Sequence, residues 1–451
     1  MEEPLLRISS DFASDLKNKK NNRSKEMKLI KKNALFELKD FLILWSTQSV
    51  SQLGSSLTGF ALTLWLYEKT GSSLSTAALT ICTYAPYVLM SIFAGVLTDR
   101  LDKKKTMLGC DMFAAVCTLL VFVLYQTNRL MVWHLYVLNA VSGLMNTVQQ
   151  PAGEVAMTLI MPEKYYQKTS GLRSLSNSLI STLNPLIATA LYAFTGLNGV
   201  IAVDIGSFLV AFTALLFFVK IPEYKKGKSE RVLVLAKEGL TFLKKNQLIL
   251  TLILFMSGIN FVASAFDAVL PGYVLPNPKG GSTVLGIVTS CSGAAMIVGS
   301  LAVSVLPKPK NRVRVIYLTM LFSLGTENFL LAFSREPLLW CIGQFIGWVV
   351  VPIMSANLDV ILRTAIPVEL QGRVYACRNT LQFFTIPIGL FVGGFMVDQV
   401  CEPFMRVHGD LTILKTLFGT GKGSGAALMM LILGISGSLF CLITGKKLKK
   451  Y

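Results

Sequence analysis

Long apolar runs separated by short polar segments dominate the chain from residue 41 onward. A helix needs about 20 apolar residues to cross the ~30 Å hydrocarbon core of a bilayer. Twelve runs are long enough, and they lack the ten-residue alternation that is typical of membrane β-barrel strands. We therefore predict twelve transmembrane helices, at 41–66, 73–98, 106–125, 130–153, 174–195, 199–219, 246–266, 282–306, 315–334, 337–358, 379–397 and 423–445.

An internal repeat divides these spans six from six. Glu154 lies eight residues before Pro162, and Asp359 lies eight residues before Pro367, a constant offset of 205. The span that follows in each half carries an inner proline, which we expect to break the helix: Pro185 and Pro387. Two similar six-helix units joined by a polar loop are typical of transporters built from parallel repeats.

The fold class that we predict is all-α membrane, with twelve transmembrane helices in two pseudo-symmetric six-helix bundles. The segments of the chain are then a basic cytoplasmic tail (1–40), the N-terminal bundle (41–219), a cytoplasmic linker (220–245), the C-terminal bundle (246–445) and a short cytoplasmic tail (446–451). We expect the linker to join the bundles without touching substrate.

Composition excludes a water-soluble enzyme, because 53% of the residues are apolar and only 15% are charged. The net charge of +18 would suit nucleic acid, but 36 of the 43 Lys and Arg fall in alternate polar segments on one side of the predicted spans. By the positive-inside rule that side is cytoplasmic. We expect a multi-pass protein of the cell membrane with both termini inside, no cleavable signal peptide and no nucleic-acid partner.

Metal and cofactor chemistry are not indicated. The eight cysteines form no CxxC pair, and the two histidines, His134 and His408, are far apart. The glycine-rich segment 419–424 lacks the spacing of a phosphate-binding loop. We therefore expect no metal site, no cofactor and no ATP-driven transport.

The second cytoplasmic turn reads Gly95-Val-Leu-Thr-Asp99-Arg100-Leu-Asp102-Lys103-Lys104-Lys105. A positive-inside loop would explain the lysines but not Asp99. The turn resembles the signature of the major facilitator superfamily, although Asp102 stands where the signature usually has glycine. That resemblance implies that the Asp99 carboxylate meets the N-terminus of span eleven, where the helix dipole favours an anion.

Further segments resemble the drug-efflux branch that includes the macrolide exporters: LWLYEKTGS (64–72), QQPAGEVAMTLIMPE (149–163), GVIAVDIGSF (199–208), KEGLTFLKKN (237–246) and IPVELQGRVYACRNT (366–380). The resemblance implies proton-driven efflux of amphipathic compounds. Two departures from the pattern of that branch leave proton coupling and the direction of transport open. Span five has Asn184-Pro185 without the paired glycines of the antiporter motif, and span four contains neither Arg nor Lys.

Two acids lie at the cytoplasmic ends of spans four and ten, Glu154 and Asp359. Symmetry places them together, with four arginines nearby: Arg100, Arg173, Arg363 and Arg378. One interpretation is a gate of ion pairs that closes the cytoplasmic side. The other is that both carboxylates simply contact water at the interface.

Two deeper acids are candidates for proton coupling, because an ionisable group in hydrocarbon is costly and usually functional. Spans one, four, seven and ten line the cavity in this family. Asp267 at the outer end of span seven is favoured by that lateral position, and Glu327 in span nine by its depth. Candidate cavity residues are Gln48, Gln52 and Asn260, although polar residues in spans also serve as interhelical hydrogen-bond partners.

The favoured function is secondary active export of a small amphipathic molecule, with protons and membrane lipid as the other partners and a monomeric chain. The alternatives are a lipid or lysolipid flippase and a non-transporting membrane sensor or scaffold. None of the three is an enzyme.

Overall fold

A computed structural model describes residues 37–162, 165–222, 232–448 and 450, and these residues are almost entirely helical. Most of the basic tail therefore lies outside the described residues. Within the helices, side chains are not described at residues 91–100, 166–168, 170–171, 232–236, 304, 368–369, 371–372 and 376.

The described residues of the first half form five helices. They are α1 (Lys39–Thr70), α2 (Ser73–Arg100), α3 (Lys103–Gln126), α4 (Val132–Leu159) and α5 (Tyr166–Thr213), the last continued by a π-helical turn (Ala214–Phe218). Helix α5 is kinked at Gly196, whose φ of 63° is the one non-helical conformation inside it. Its two parts correspond to the fifth and sixth predicted spans.

The second half begins with a separate short helix, α6 (Val232–Lys245). The long helices that follow are α7 (Gln247–Val274), α8 (Ser282–Val305), α9 (Arg312–Phe333), α10 (Pro337–Val349), α11 (Val351–Ala365), α12 (Val368–Phe383), α13 (Thr385–Phe395) with a π-helical turn (Met396–Cys401), and α16 (Ser424–Leu448). Two short helices, α14 (Glu402–His408) and α15 (Thr412–Phe418), precede α16.

Nine helical stretches of the described chain are long and apolar enough to cross a membrane. The expectation of an all-helical membrane protein is therefore confirmed. Many large apolar side chains point outward, such as Phe194 at 89% exposure and Val305 at 83%. Outward-facing apolar side chains are expected where a helix meets lipid rather than water.

Capping residues mark the ends of several of these helices. Gly71 ends α1 in the left-handed region, with φ 61°, and α2 begins two residues later. The Asp102 side chain accepts a hydrogen bond from the backbone N–H of Lys105 at 2.8 Å and so caps α3. The aspartate that departs from the family signature thus has a local structural role.

Linker helix α6 packs on α12 and lies at the end of the molecule where α2 stops and α3 and α7 start. We call this end the linker end and the opposite end the far end. Glu238 forms an ion pair with Arg373, and Gly239 lies directly against the Arg373 carbonyl and the Cys377 sulfur. Helix α6 is therefore fastened to the second half of the chain.

The two most extensive helix pairs between the halves are α2 with α13 and α5 with α8. Both depend on glycine. A methyl group at Gly394 would lie 2.7 Å from the Leu74 Cα, and one at Gly293 would lie 2.7 Å from the Thr182 Cα. These approaches bring backbone against backbone, as small residues permit between membrane helices.

Candidate functional site: a polar cavity between the halves

A cavity of about 230 Å³ lies between the two halves. Helices α1 and α2 contribute one wall and α7, α10 and α13 contribute the other. Its lining residues are Thr63, Thr76, Ala77, Thr80, Tyr84, Asn260, Ala263, Ser264, Asp267, Ala268, Pro271, Trp348, Ile386 and Leu390. Among the described residues, Asp267 is the only charged one in this lining.

Helical spacing explains why these residues converge. On α7, Asn260, Ser264, Asp267 and Pro271 recur every three or four residues and so share one face. On α2 the lining residues recur in the same way, from Thr76 through Thr80 to Tyr84. The small side chains of Ala77, Ala263 and Ala268 in the lining leave the space open.

The Asp267 side chain is exposed to the cavity although it lies well inside a membrane-spanning helix. It has no hydrogen-bond or ion-pair partner among the described residues. A carboxylate within a membrane-spanning helix is ordinarily paired or hydrogen-bonded unless it faces a cavity, because leaving it unsatisfied in hydrocarbon costs free energy. Asp267 is therefore available to a ligand or a proton.

Glu327, the second candidate proton site, does not line the cavity. It is only 5% exposed and lies between α9 and α10. Its Oε1 accepts a hydrogen bond at 3.0 Å from the indole Nε1–H of Trp348, which does line the cavity. The structure thus places Asp267 at the cavity surface and Glu327 behind an aromatic side chain.

The three polar residues expected in the cavity are separated by the structure. Asn260 lines the cavity and donates to the backbone carbonyl of Gln382 at 3.0 Å. Gln48 and Gln52 are not among the lining residues. The Gln48 amide instead donates to Asp111 at 3.3 Å, while Gln52 is exposed. Hydrogen bonding between helices therefore accounts for Gln48.

Two further acids, Asp111 and Asp204, are buried in the first half. Asp111 on α3 accepts hydrogen bonds from Gln48 on α1 and Gln149 on α4. Asp204 on α5 accepts from the Ser55 hydroxyl on α1 at 3.0 Å. These carboxylates join helices to one another.

The residues of the expected ion-pair gate lie near the linker end. Glu154 pairs with Arg173, so this ion pair lies within the first half. Asp359 and Arg363 are exposed, and Arg378 donates to the Gln382 side chain at 3.0 Å while the Asp359 charge acts on it. The structure brings Glu154 together with Arg173, and Asp359 within electrostatic reach of Arg378.

The signature turn is described in part. Gly95, Asp99 and Arg100 belong to the helical backbone of α2, but their side chains lie outside the described residues. Lys104 donates to the carbonyls of Leu216 at 3.0 Å and Val219 at 2.8 Å. The lysine therefore caps the carbonyl end of the α5 segment, where a cation is favoured by the helix dipole.

The two inner prolines differ. Helix α5 runs through Pro185 with helical backbone angles, so this residue does not break the helix as expected; the break is at Gly196. Proline is tolerated in membrane helices where neighbouring groups satisfy the freed carbonyl. Pro387 lies in the first turn of α13, just after the interruption between Phe383 and Thr385. A proline at that position agrees with an expected break.

Asp398 is a further residue that sequence reasoning did not identify. Its carboxylate accepts hydrogen bonds from the Ser72 hydroxyl at 2.6 Å, the Ser73 N–H at 3.1 Å and the Leu74 N–H at 2.8 Å. It therefore caps the N-terminus of α2 from the other half of the chain. More than 300 residues separate the partners, so no local pattern could have signalled this contact.

Residues 44–390 match the family model for the Major Facilitator Superfamily. Macrolide efflux protein A of Streptococcus pyogenes is 24% identical over 369 residues, which cover 80% of this chain and 90% of that protein. The multidrug efflux pump Tap of Mycolicibacterium fortuitum is 23% identical over 359 residues, which cover 76% and 86% of the two chains.

Solved structures of similar fold include a bacterial homolog of the human lysosomal transporter Spinster, with a TM-score of 0.65, 13% identity and coverage of 92% of this chain and 98% of that one. The nucleoside transporter NupG has a TM-score of 0.64, 12% identity and coverage of 90% and 99%. At these identities the likeness concerns the fold alone. Since the family model matches most of the chain, the protein belongs to the Major Facilitator Superfamily, as its signature turn indicates.

Proposed function

We propose that this protein is a proton-coupled exporter of small amphipathic molecules that works by alternating access. The observation that carries the proposal is Asp267, a carboxylate that is exposed in a cavity between the two halves and has no partner among the residues that the structure describes. Relatives named for macrolide efflux and multidrug efflux support export as the direction of transport.

The proposal includes twelve spans in two six-helix bundles. Beyond the nine apolar stretches, α1 and α4 are long helices of 32 and 28 residues whose polar side chains lower their mean hydropathy. The twelfth span follows if the kink at Gly196 divides α5 into two spans. Polar residues on spans one and four are what a transporter needs if those spans face an aqueous cavity.

The linker end is cytoplasmic in this proposal, because 36 of the 43 basic residues belong to segments on that side. Both termini are then inside and the far end faces outward in the cell membrane. We propose a monomer, since each chain contains a complete cavity between its own halves.

Alternating access requires contacts that close one end and then separate. At the far end the Asp398 cap and the close approach of Gly394 to Leu74 join the halves. At the linker end we assign the gate to the signature turn (Gly95, Asp99, Arg100, Lys104) and to the charged set Glu154, Asp359, Arg363 and Arg378. Rocking of the bundles would break one group of contacts as it forms the other.

Asp267 supplies the coupling. A carboxylate in a low-dielectric cavity favours its neutral form, so a proton entering from outside is retained while the bundles move. When the cavity opens inward, a substrate with a positive or polar group can displace that proton. Proton and substrate then compete for one carboxylate, and no arginine in span four is required.

The decisive experiment is a transport screen in cells with and without the protein, using the macrolide erythromycin and the fluorescent organic cation ethidium. We expect the protein to lower accumulation of at least one probe, and a proton uncoupler to abolish that difference. Equal accumulation of both probes in both strains would contradict export. Altered lipid asymmetry with unchanged probe accumulation would instead support a flippase.

A further inference from the structure

Trp348 lies at an interruption of the tenth predicted span. Helix α10 ends at Val349, and α11 starts at Val351 after Val350, which stays in the right-handed helical region with φ −88° and ψ −12°. Gly299 of α8 packs directly on the Val349 carbonyl, where a methyl group would lie 2.1 Å from the oxygen. A neighbouring helix therefore packs on the interruption. The last turn of α10 presents Trp348 to the cavity.

Glu327 fixes the orientation of this indole from behind. Its Oε1 accepts the Nε1–H bond at 3.0 Å, and the rest of its side chain lies flat on Gly347. A methyl group at Gly347 would come within 2.7 Å of both Cβ and Oε2 of Glu327. The carboxyl group therefore occupies a fitted slot between α9 and α10.

Glu327 and Trp348 differ in their access to a bound molecule. Trp348 belongs to the cavity lining together with Asp267 and Tyr84, whereas Glu327 does not. Any influence of Glu327 on binding must therefore pass through the indole or through the longer-range electric field. An indole face and a carboxylate in one small cavity are complementary to an organic cation, because the ring attracts the cation and the acid neutralises it.

We propose that Trp348 is a specificity-determining residue that packs against the apolar face of a cationic substrate, and that Glu327 is the positioning residue that holds the indole in place. The proposal rests on the proposed transport function for its substrate, but it concerns binding and not energy coupling. Glu327 acts here as a hydrogen-bond acceptor, so its charge is not required.

The test uses purified full-length protein and measures ethidium binding, together with ethidium transport in proteoliposomes under an imposed pH gradient. Glu327→Gln keeps an acceptor for the indole N–H, whereas Glu327→Met removes it at similar size. Trp348→Phe keeps an aromatic ring but removes the donor. We expect Glu327→Gln to bind like the unmodified protein, and Glu327→Met and Trp348→Phe each to raise the Kd roughly tenfold, or about 1.4 kcal/mol.

Two further outcomes separate positioning from a merely structural role. The double variant should bind no more weakly than Trp348→Phe alone, because Glu327 acts only through the indole N–H. The transport KM should rise in Glu327→Met while kcat and the pH dependence are retained, since Asp267 and Tyr84 at the cavity and the charged residues of the linker end are unchanged.

Equal loss of binding in Glu327→Gln and Glu327→Met would overturn the proposal, because it would mean that the charge matters. Absence of ethidium binding to the unmodified protein would overturn it too. If Glu327→Met does not fold, as judged by gel filtration, the Trp348→Phe variant decides alone: unchanged ethidium affinity there would refute the role of the indole. Binding without pH-driven transport would retain this inference and contradict the proposed coupling.

Discussion

Asp111 and Asp204 in the first half of the chain, and Asp267 in the second, are the same residue type in membrane helices, but their surroundings differ. Asp111 and Asp204 are 8% and 4% exposed and accept hydrogen bonds from amide or hydroxyl groups of other helices. Asp267 is exposed to a cavity and has no partner among the described residues. Residue type and depth alone therefore do not distinguish an architectural acid from a functional one.

The cores of the two halves reflect this difference. The second half has one large apolar cluster that includes Phe255, Val269 and Trp340. The first half has two smaller clusters, one around Leu57 and Leu135 and one around Leu44 and Met107. Between these clusters, hydrogen bonds from Gln48 and Gln149 to Asp111 join three helices. They contribute to holding the first half together, as apolar packing does in the second half.

The comparison teaches that the partners of an acid determine its role. A carboxylate that accepts hydrogen bonds from neighbouring helices holds those helices together, and changing its protonation would disturb them. A carboxylate with free acceptors can exchange a proton or a ligand without rearranging the fold. Each prediction below compares a partnered group with an unpartnered one.

The largest effect is expected at Asp267. Asp267→Asn mimics the protonated acid, so substrate binding should persist while pH-driven export falls by at least an order of magnitude. Probe uptake into inside-out vesicles under an imposed pH gradient measures this. Glu327→Gln is the matched control and should keep the pH dependence. Export by Asp267→Asn with full pH dependence would place the coupling site elsewhere, and Glu327 would be the next candidate.

Sequence alone predicted the family, the helical class and most helix positions, because those depend on local hydrophobicity and on a short motif. It also offered Asp267 and Asn260 as site candidates, because span seven lines the cavity in the family that the chain resembles. Gln48 and Gln52 show the limit. They are the same residue type four positions apart, and only the packed helices reveal that the first is bonded to Asp111.

Contacts between distant segments could not be predicted for a related reason. Asp398 caps α2 from more than 300 residues away, and Trp348 links Glu327 to the cavity by a hydrogen bond between two helices. Nothing in the local sequence around Asp398 or Trp348 indicates these contacts. At Pro185 the local sequence predicted a break that the structure does not have. There the packing of α5 on α8 outweighs the local preference of proline.

The next largest effect concerns stability. Asp111→Leu should leave the Gln48 and Gln149 amides without an acceptor, which costs about 1–3 kcal/mol for each buried group. We expect a clear fall in the thermal unfolding temperature in detergent, and a smaller one for Asp111→Asn, which keeps an acceptor. Asp267→Asn should unfold at nearly the same temperature as the unmodified protein. A fall as large as that of Asp111→Leu would mean that Asp267 has partners after all.

A moderate effect is expected at the two aspartates assigned to opposite ends of α2. Asp398→Asn weakens the cap at the far end, because the charge that favours the helix N-terminus is lost. Asp99→Asn should weaken the corresponding contact at the linker end, which its resemblance to the family signature implies. Both should lower transport several-fold with expression retained.

Labelling distinguishes the two ends. A cysteine placed at Thr80 in the cavity lining should react faster with an impermeant maleimide from the outside in Asp398→Asn, and more slowly in Asp99→Asn. The chain without the added cysteine corrects for the eight native thiols. Unchanged labelling and transport in both variants would remove these aspartates from the gating mechanism.

The smallest effect, and the closest comparison, is within α1. Gln48 donates to Asp111, whereas Gln52, one helical turn further on, is exposed and lies outside the cavity lining. Gln48→Ala removes one donor from a carboxylate that retains Gln149, so we expect a loss of about 1 kcal/mol in stability. Gln52→Ala should change stability by less than half of that amount and leave ethidium affinity unaltered, because the side chain touches neither the network nor the cavity.

Thermal unfolding and ethidium titration of the two variants measure both quantities. A marked loss of affinity in Gln52→Ala alone would show that substrate extends beyond the cavity toward the first half, and that an unpartnered amide can mark a binding surface in the same way as an unpartnered acid.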